Sequence, residues 1–88
     1  MQPEDFAVIL AQEGFQPPLT ITREPNGYMG THTHAFEAKA LVLSGEISIS
    51  VDGVESLYEP GQVFYLRAQV PHAEQYGPHG VEYMVGRK

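Results

Sequence analysis

The 88-residue chain has no cysteine, few basic residues and no long apolar run. Lack of cysteine excludes disulfide staples, thiolate metal sites and cysteine nucleophiles. Only five Lys and Arg stand against eleven Asp and Glu, a formal charge of −6. Such a surface repels phosphate backbones and anionic lipid, so neither nucleic acid nor membrane is an expected partner, whereas cations are favoured. No stretch approaches the ~20 apolar residues of a membrane-spanning helix. The opening Met-Gln-Pro-Glu-Asp lacks the basic start of a signal peptide, which makes the cytoplasm the expected location.

What is present suffices for folding. The hydrophobic fraction is 42%, with four Phe and five Tyr, enough for one packed core. The length predicts a single domain over residues 1–88. A bound metal or a partner subunit would be a reasonable source of extra stability at this size.

One helix is expected, over about residues 3–13. Pro3 suits the first helical position, and Glu4 and Asp5 complement the dipole of the first turn. Phe6, Ile9 and Leu10 share a face, with Ala7 beside them. Gly14 is placed for a left-handed cap, Phe15 for folding back onto Leu10, and Pro17 and Pro18 forbid continuation.

The remainder reads as β structure, about residues 19–85, in short runs at 19–24, 28–34, 38–43, 46–51, 54–58, 62–66, 72–76 and 81–85. The clearest is Ile47-Ser-Ile49-Ser-Val51, followed by Asp52-Gly53, a preferred type I′ turn pair. A two-residue loop sets Val51 opposite Val54, Ile49 opposite Ser56 and Ile47 opposite Tyr58, on what is expected to be the core face. Many short strands with glycine-rich turns predict a sandwich or small barrel. Arg87-Lys88 reads as a solvated tail.

Chemistry centres on the four histidines, two of which form His32-Thr33-His34. Residues two apart on a strand face the same way, so both imidazoles can converge. Imidazole is the commonest protein metal ligand, at roughly 2.0–2.1 Å from zinc. By itself this pattern also fits two half-exposed histidines on an edge strand. No nucleophile elbow, phosphate-binding loop or dinucleotide fingerprint competes with it.

The stretches GYMGTHTHAFEAKALVLSGEISI and EPGQVFYLRAQVPHAEQY resemble the two motifs of the cupin family. The matching residues are Gly30, His32, His34 and Gly45 in the first, and Pro60, Gly61, Pro71 and His72 in the second. The resemblance covers roughly residues 19–85. It implies an all-β fold, a double-stranded β-helix of jelly-roll type with one short N-terminal helix. It also implies a metal site at the barrel mouth built from His32, His34 and His72, with Pro71 setting the approach to His72. Three neutral imidazoles would bind Zn²⁺, Ni²⁺, Fe²⁺ or Cu²⁺ and leave positions for water.

One departure stands out. The family's carboxylate ligand would fall at Ala38, while neighbouring Glu37 points the other way in a regular strand unless a bulge intervenes. Glu74 shares strand parity with His72 and is an alternative ligand or tautomer-fixing acceptor. His79 reads as a loop residue, and Tyr65, Arg67 and Tyr76 as residues of the mouth or of packed edges, with Arg67 able to attract a carboxylate or phosphate.

The expected function is a divalent metal and small-molecule-binding protein, with room for one small ligand. A metal-dependent enzyme of dioxygenase or isomerase type and a metal-free ligand-binding or sensor module are the alternatives. A homodimer is expected, because an outer sheet face carrying Leu41 and Leu43 needs cover, the helix at 3–13 can shield only part of it, and cupins commonly pair through such faces.

Overall fold

A computed structural model describes all residues 1–88. One helix, α1 (Pro3–Gln12), precedes six strands: β1 (Leu19–Arg23), β2 (Tyr28–His32), β3 (Ala38–Val51), β4 (Val54–Tyr58), β5 (Val63–Leu66) and β6 (His72–Arg87). Every pairing is antiparallel: β1, β2 and β3 pair with β6, and β4 and β5 pair with β3. The all-β fold with one short helix is therefore as expected. No helix is long and apolar enough to cross a membrane.

The eight expected strands become six because two pairs of runs are continuous. Residues 38–43 and 46–51 fuse into β3, and 72–76 and 81–85 fuse into β6. Register shifts between Val42 and Ser44 and between Gly45 and Ile47 bend β3 without ending it. Gly45 and Gly80 both sit at φ +72°, and a Cβ on Gly45 would strike the Gly80 carbonyl. Both glycines fall in gaps between the expected strands, at 44–45 and 77–80. In the fold they permit two long strands to bend where their backbones touch.

Local signals hold well in the helix and hairpin. Gly14, at φ +83°, follows the last turn. Phe15 N–H donates to the Leu10 carbonyl at 2.9 Å and Gly14 N–H to the Ala11 carbonyl at 3.2 Å, the paired bonds of a Schellman cap. The β3–β4 hairpin has the expected register, Ile47 opposite Tyr58, Ile49 opposite Ser56 and Val51 opposite Val54. Asp52 and Gly53 both take positive φ, 52° and 77°. Burial is strongest at its base: Ile47 and Ile49 are buried, but Val54 is 66% exposed. Of the pair next to the turn, Val51 still packs against the edge of the core and only Val54 projects past it.

There are two apolar clusters rather than one. Inside the sheet lie Ala40, Val42, Ile47, Ile49, Phe64, Val81 and neighbours. On the outside of β3, Phe6, Leu10, Phe15 and Leu41 form a second cluster, joined by Leu43. Alternation along β3 sends Ala40 and Val42 inward and Leu41 outward, and α1 covers the latter. Leu41 is 1% exposed, so the uncovered face invoked for a partner subunit is already closed by the helix at that residue.

The C-terminal Arg87 and Lys88 are exposed, as expected of a solvated tail, but they are held in place rather than free. Lys88 and Glu37 exchange backbone hydrogen bonds at 2.9 and 3.0 Å, and Lys88 Nζ donates to the Glu13 carbonyl. The Arg87 guanidinium lies 4.9 Å above the Phe36 ring.

Candidate metal centre

Strand β6 carries His72, Glu74 and Tyr76 at alternate positions, so all three face the barrel interior. His32 on β2 is directly opposite His72, and Met29 is opposite Glu74. These two pairs require a bulge, since three residues of β2 span two of β6. In an unbroken ladder Thr31 would oppose His72 and His32 would turn away. His34 lies just past the end of β2, in the segment that leads to β3.

The rings come close together. Centroids are 4.2 Å apart for His32 and His72, 4.7 Å for His34 and His72, and 5.2 Å for His32 and His34. One donor atom from each of His32, His34, His72 and Glu74 lies within 4.8 Å of the others. Phe36 stacks on His34 at 4.8 Å with planes 5° apart, which orients a ring that no strand holds.

Hydrogen bonding selects the tautomers. His72 Nδ1 is 2.9 Å from the Val70 carbonyl, and His32 Nδ1 is 2.7 Å from the Gly30 carbonyl. A carbonyl only accepts, so each Nδ1 carries the proton and, in the neutral ring, each Nε2 presents a bare lone pair. Both Nε2 atoms face the Glu74 carboxylate, with Oε2 3.5 Å from His32 and 3.4 Å from His72. His72 Nε2 is buried and has no hydrogen-bond partner. Glu74 Oε1 accepts from the Tyr76 hydroxyl at 3.0 Å, which leaves Oε2 free toward the imidazoles.

This grouping is electrostatically incomplete. Lone pairs and a carboxylate oxygen converge with no positive charge among them, and His72 and Glu74 do so while buried, which is costly at low dielectric. A cation resolves the conflict. Ligands about 2.05 Å from a tetrahedral zinc are separated from each other by about 3.3 Å. The observed 3.4 and 3.5 Å are close to that edge and longer than the ~2.7–2.9 Å of a charge-assisted hydrogen bond. The donor set therefore fits a divalent metal. Burial depresses the pKa of His34 below the usual histidine value, assisted by repulsion from His72 and His32, which favours the deprotonated, ligating form. Burial and then Glu74 push Tyr76 far above the ordinary phenol value, so it remains a hydrogen-bond donor.

The other candidates lie elsewhere. Ala38 lines the cavity but offers no donor, and Glu37 accepts a 2.7 Å hydrogen bond from Tyr65 outside the cluster. Tyr76 is buried rather than at the mouth, while Tyr65 is 48% exposed. Arg67 belongs to a separate surface depression, and exposed His79 falls within β6 rather than in a loop. Sequence reasoning passed over Arg23, Arg87, Phe36 and Tyr83, all of which line the cavity of about 250 Å³ beside the donors. The one available signal was parity with Ile21, which puts Arg23 on the inward face of β1.

A cupin domain family model matches residues 19–75. No curated protein matches the chain. Among solved structures, an RmlC-like cupin from Shewanella frigidimarina superposes with TM-score 0.68 at 21% identity, covering 81% of this chain and 64% of the other. A DMSP lyase from Ruegeria pomeroyi gives TM-score 0.72 at 19% identity, over 81% of this chain and 36% of the lyase. The cupin domain of an XRE family transcriptional regulator from Enterobacter cloacae gives 0.67 at 20% identity, over 80% and 77%. This chain thus spans less than two-thirds of the length of the first two, and the likeness to all three is one of fold.

Proposed function

The chain belongs to the cupin domain family, and we propose that it binds a divalent transition metal through His32, His34 and His72 and acts as a metal-dependent small-molecule-binding protein. Glu74 supplies the carboxylate that Ala38 cannot. The observation that carries this reading is His72 Nε2, buried, unpartnered and aimed at Glu74 Oε2. Zinc, nickel, iron and copper all accept imidazole, and the donor set alone does not choose among them. Once bound, such an ion would act as a Lewis acid toward a molecule in the adjoining cavity.

Metal analysis of protein purified without a histidine tag tests the proposal. One equivalent of metal is expected, falling to background in His72→Ala. Absence of metal after loading with each of the four ions would overturn it.

A further inference from the structure

The cavity beside the donors is lined by two kinds of polar group: His32, His34 and Glu74 of the donor cluster, and the guanidinium groups of Arg23 and Arg87. Neither arginine forms an ion pair with a carboxylate. Arg23 Nε is enclosed and has no hydrogen-bond partner. An enclosed guanidinium N–H without an acceptor is costly and rare in folded proteins. Tyr83 lies within hydrogen-bonding reach of the guanidinium and Tyr76 lies nearby, yet Nε itself is left without an acceptor. The Glu74 carboxylate is engaged by Tyr76 on one oxygen and faces the imidazoles with the other.

Charge and size narrow the occupant. Two of the five basic residues of an acidic chain border this cavity, where Glu74 is the only carboxylate. A metal would add further positive charge. Ile21, Phe64, Leu66 and Val85 supply apolar walls to the same cavity. About 250 Å³ is the volume of roughly eight liquid waters, so a ligand must be short. The Nε and Nη edge of a guanidinium matches a planar carboxylate with two parallel N–H donors.

We propose that this cavity binds a small organic carboxylate, with its anionic group on Arg23, Arg87 at the rim, and its other end toward the His/Glu cluster. The second point of attachment rests on the metal reading; the first does not.

The test is calorimetric titration of the cobalt-loaded protein with malonate, succinate and glutarate, against propionate and butyrate, while the visible cobalt bands are followed. One dicarboxylate is expected to bind about tenfold or more tighter than the monocarboxylates, the gain from one further charge-assisted contact. Arg23→Gln should erase that advantage and leave the cobalt bands of the unliganded protein unchanged, and Arg23→Lys should restore only part of it. Equal affinities across the series, an advantage that survives in Arg23→Gln, or a preference for inorganic phosphate over every carboxylate would overturn the proposal. Should the protein take up neither cobalt nor zinc, nickel, iron or copper, the metal reading fails separately. The carboxylate reading is then decided by whether butyrate binds the wild-type protein and not Arg23→Gln.

Discussion

The cluster under α1 and the mouth of the barrel are built from the same sheet and follow opposite rules. Under the helix, Phe6, Leu10, Phe15 and Leu41 bury apolar surface with no polar group among them, and the helix end is capped by its own backbone. At the mouth, His32, His34, His72 and Glu74 are drawn together without the charge that would reconcile them. The first region gains stability from folding alone. The second gives some up, a conflict characteristic of functional sites. Stability and chemistry are thus placed on opposite faces of one sheet.

Substitutions should expose this division. The largest effect is expected from Phe6→Ala, at about 3–5 kcal/mol of stability, because a fully enclosed ring leaves a cavity. Denaturant unfolding would measure it, and metal stoichiometry in the surviving folded fraction should not change. A loss of metal in parallel with stability would show that the regions are coupled after all.

The opposite behaviour is expected of Glu74→Gln. An amide N–H can donate to His72 Nε2, so the variant should stabilise the metal-free protein by roughly 1 kcal/mol, a rise of about 4–8 °C in Tm. It should at the same time weaken metal binding. Melting the chelator-treated protein with and without added zinc would show both changes, and a lower Tm in the metal-free variant would contradict the account of Glu74.

A smaller effect concerns pH. An unfolded histidine takes up its proton near 6.5, whereas folded His34 resists protonation until lower pH. Between those values the unfolded state binds more protons, so His34 makes metal-free stability fall as pH drops through about 6.5 and level off below its folded value. Urea midpoints from pH 7.5 to 5 should therefore slope more steeply in the wild type than in His34→Asn. Equal slopes would assign the dependence to other groups.

What could be read from the sequence was chemistry carried by neighbouring residues. The Gly14–Phe15 cap and the Asp52-Gly53 hairpin are local, and both have the expected form. The pairing of His72 with His32 was suggested by motif and parity, but its means, a bulge in β2, is not visible in any residue type. Glu74 was reachable because it alternates with His72. Long-range consequences were hidden. Gly45 looks like a turn until Gly80 is placed against it, and which part of the outer face α1 covers, Leu41 included, emerges only once the helix is docked. Arg87 reads as tail because Phe36, on which it lies, is distant in sequence.

The enclosure of His72 also constrains the order of assembly. That ring is 1% exposed, and Glu74 beside it is 7% exposed, while the cavity runs along His32, His34 and Glu74. An incoming ion would have to travel through the space in which an organic guest would later sit. Loading would then be sequential, ion before guest, and a seated guest would serve as a stopper that slows the ion's escape.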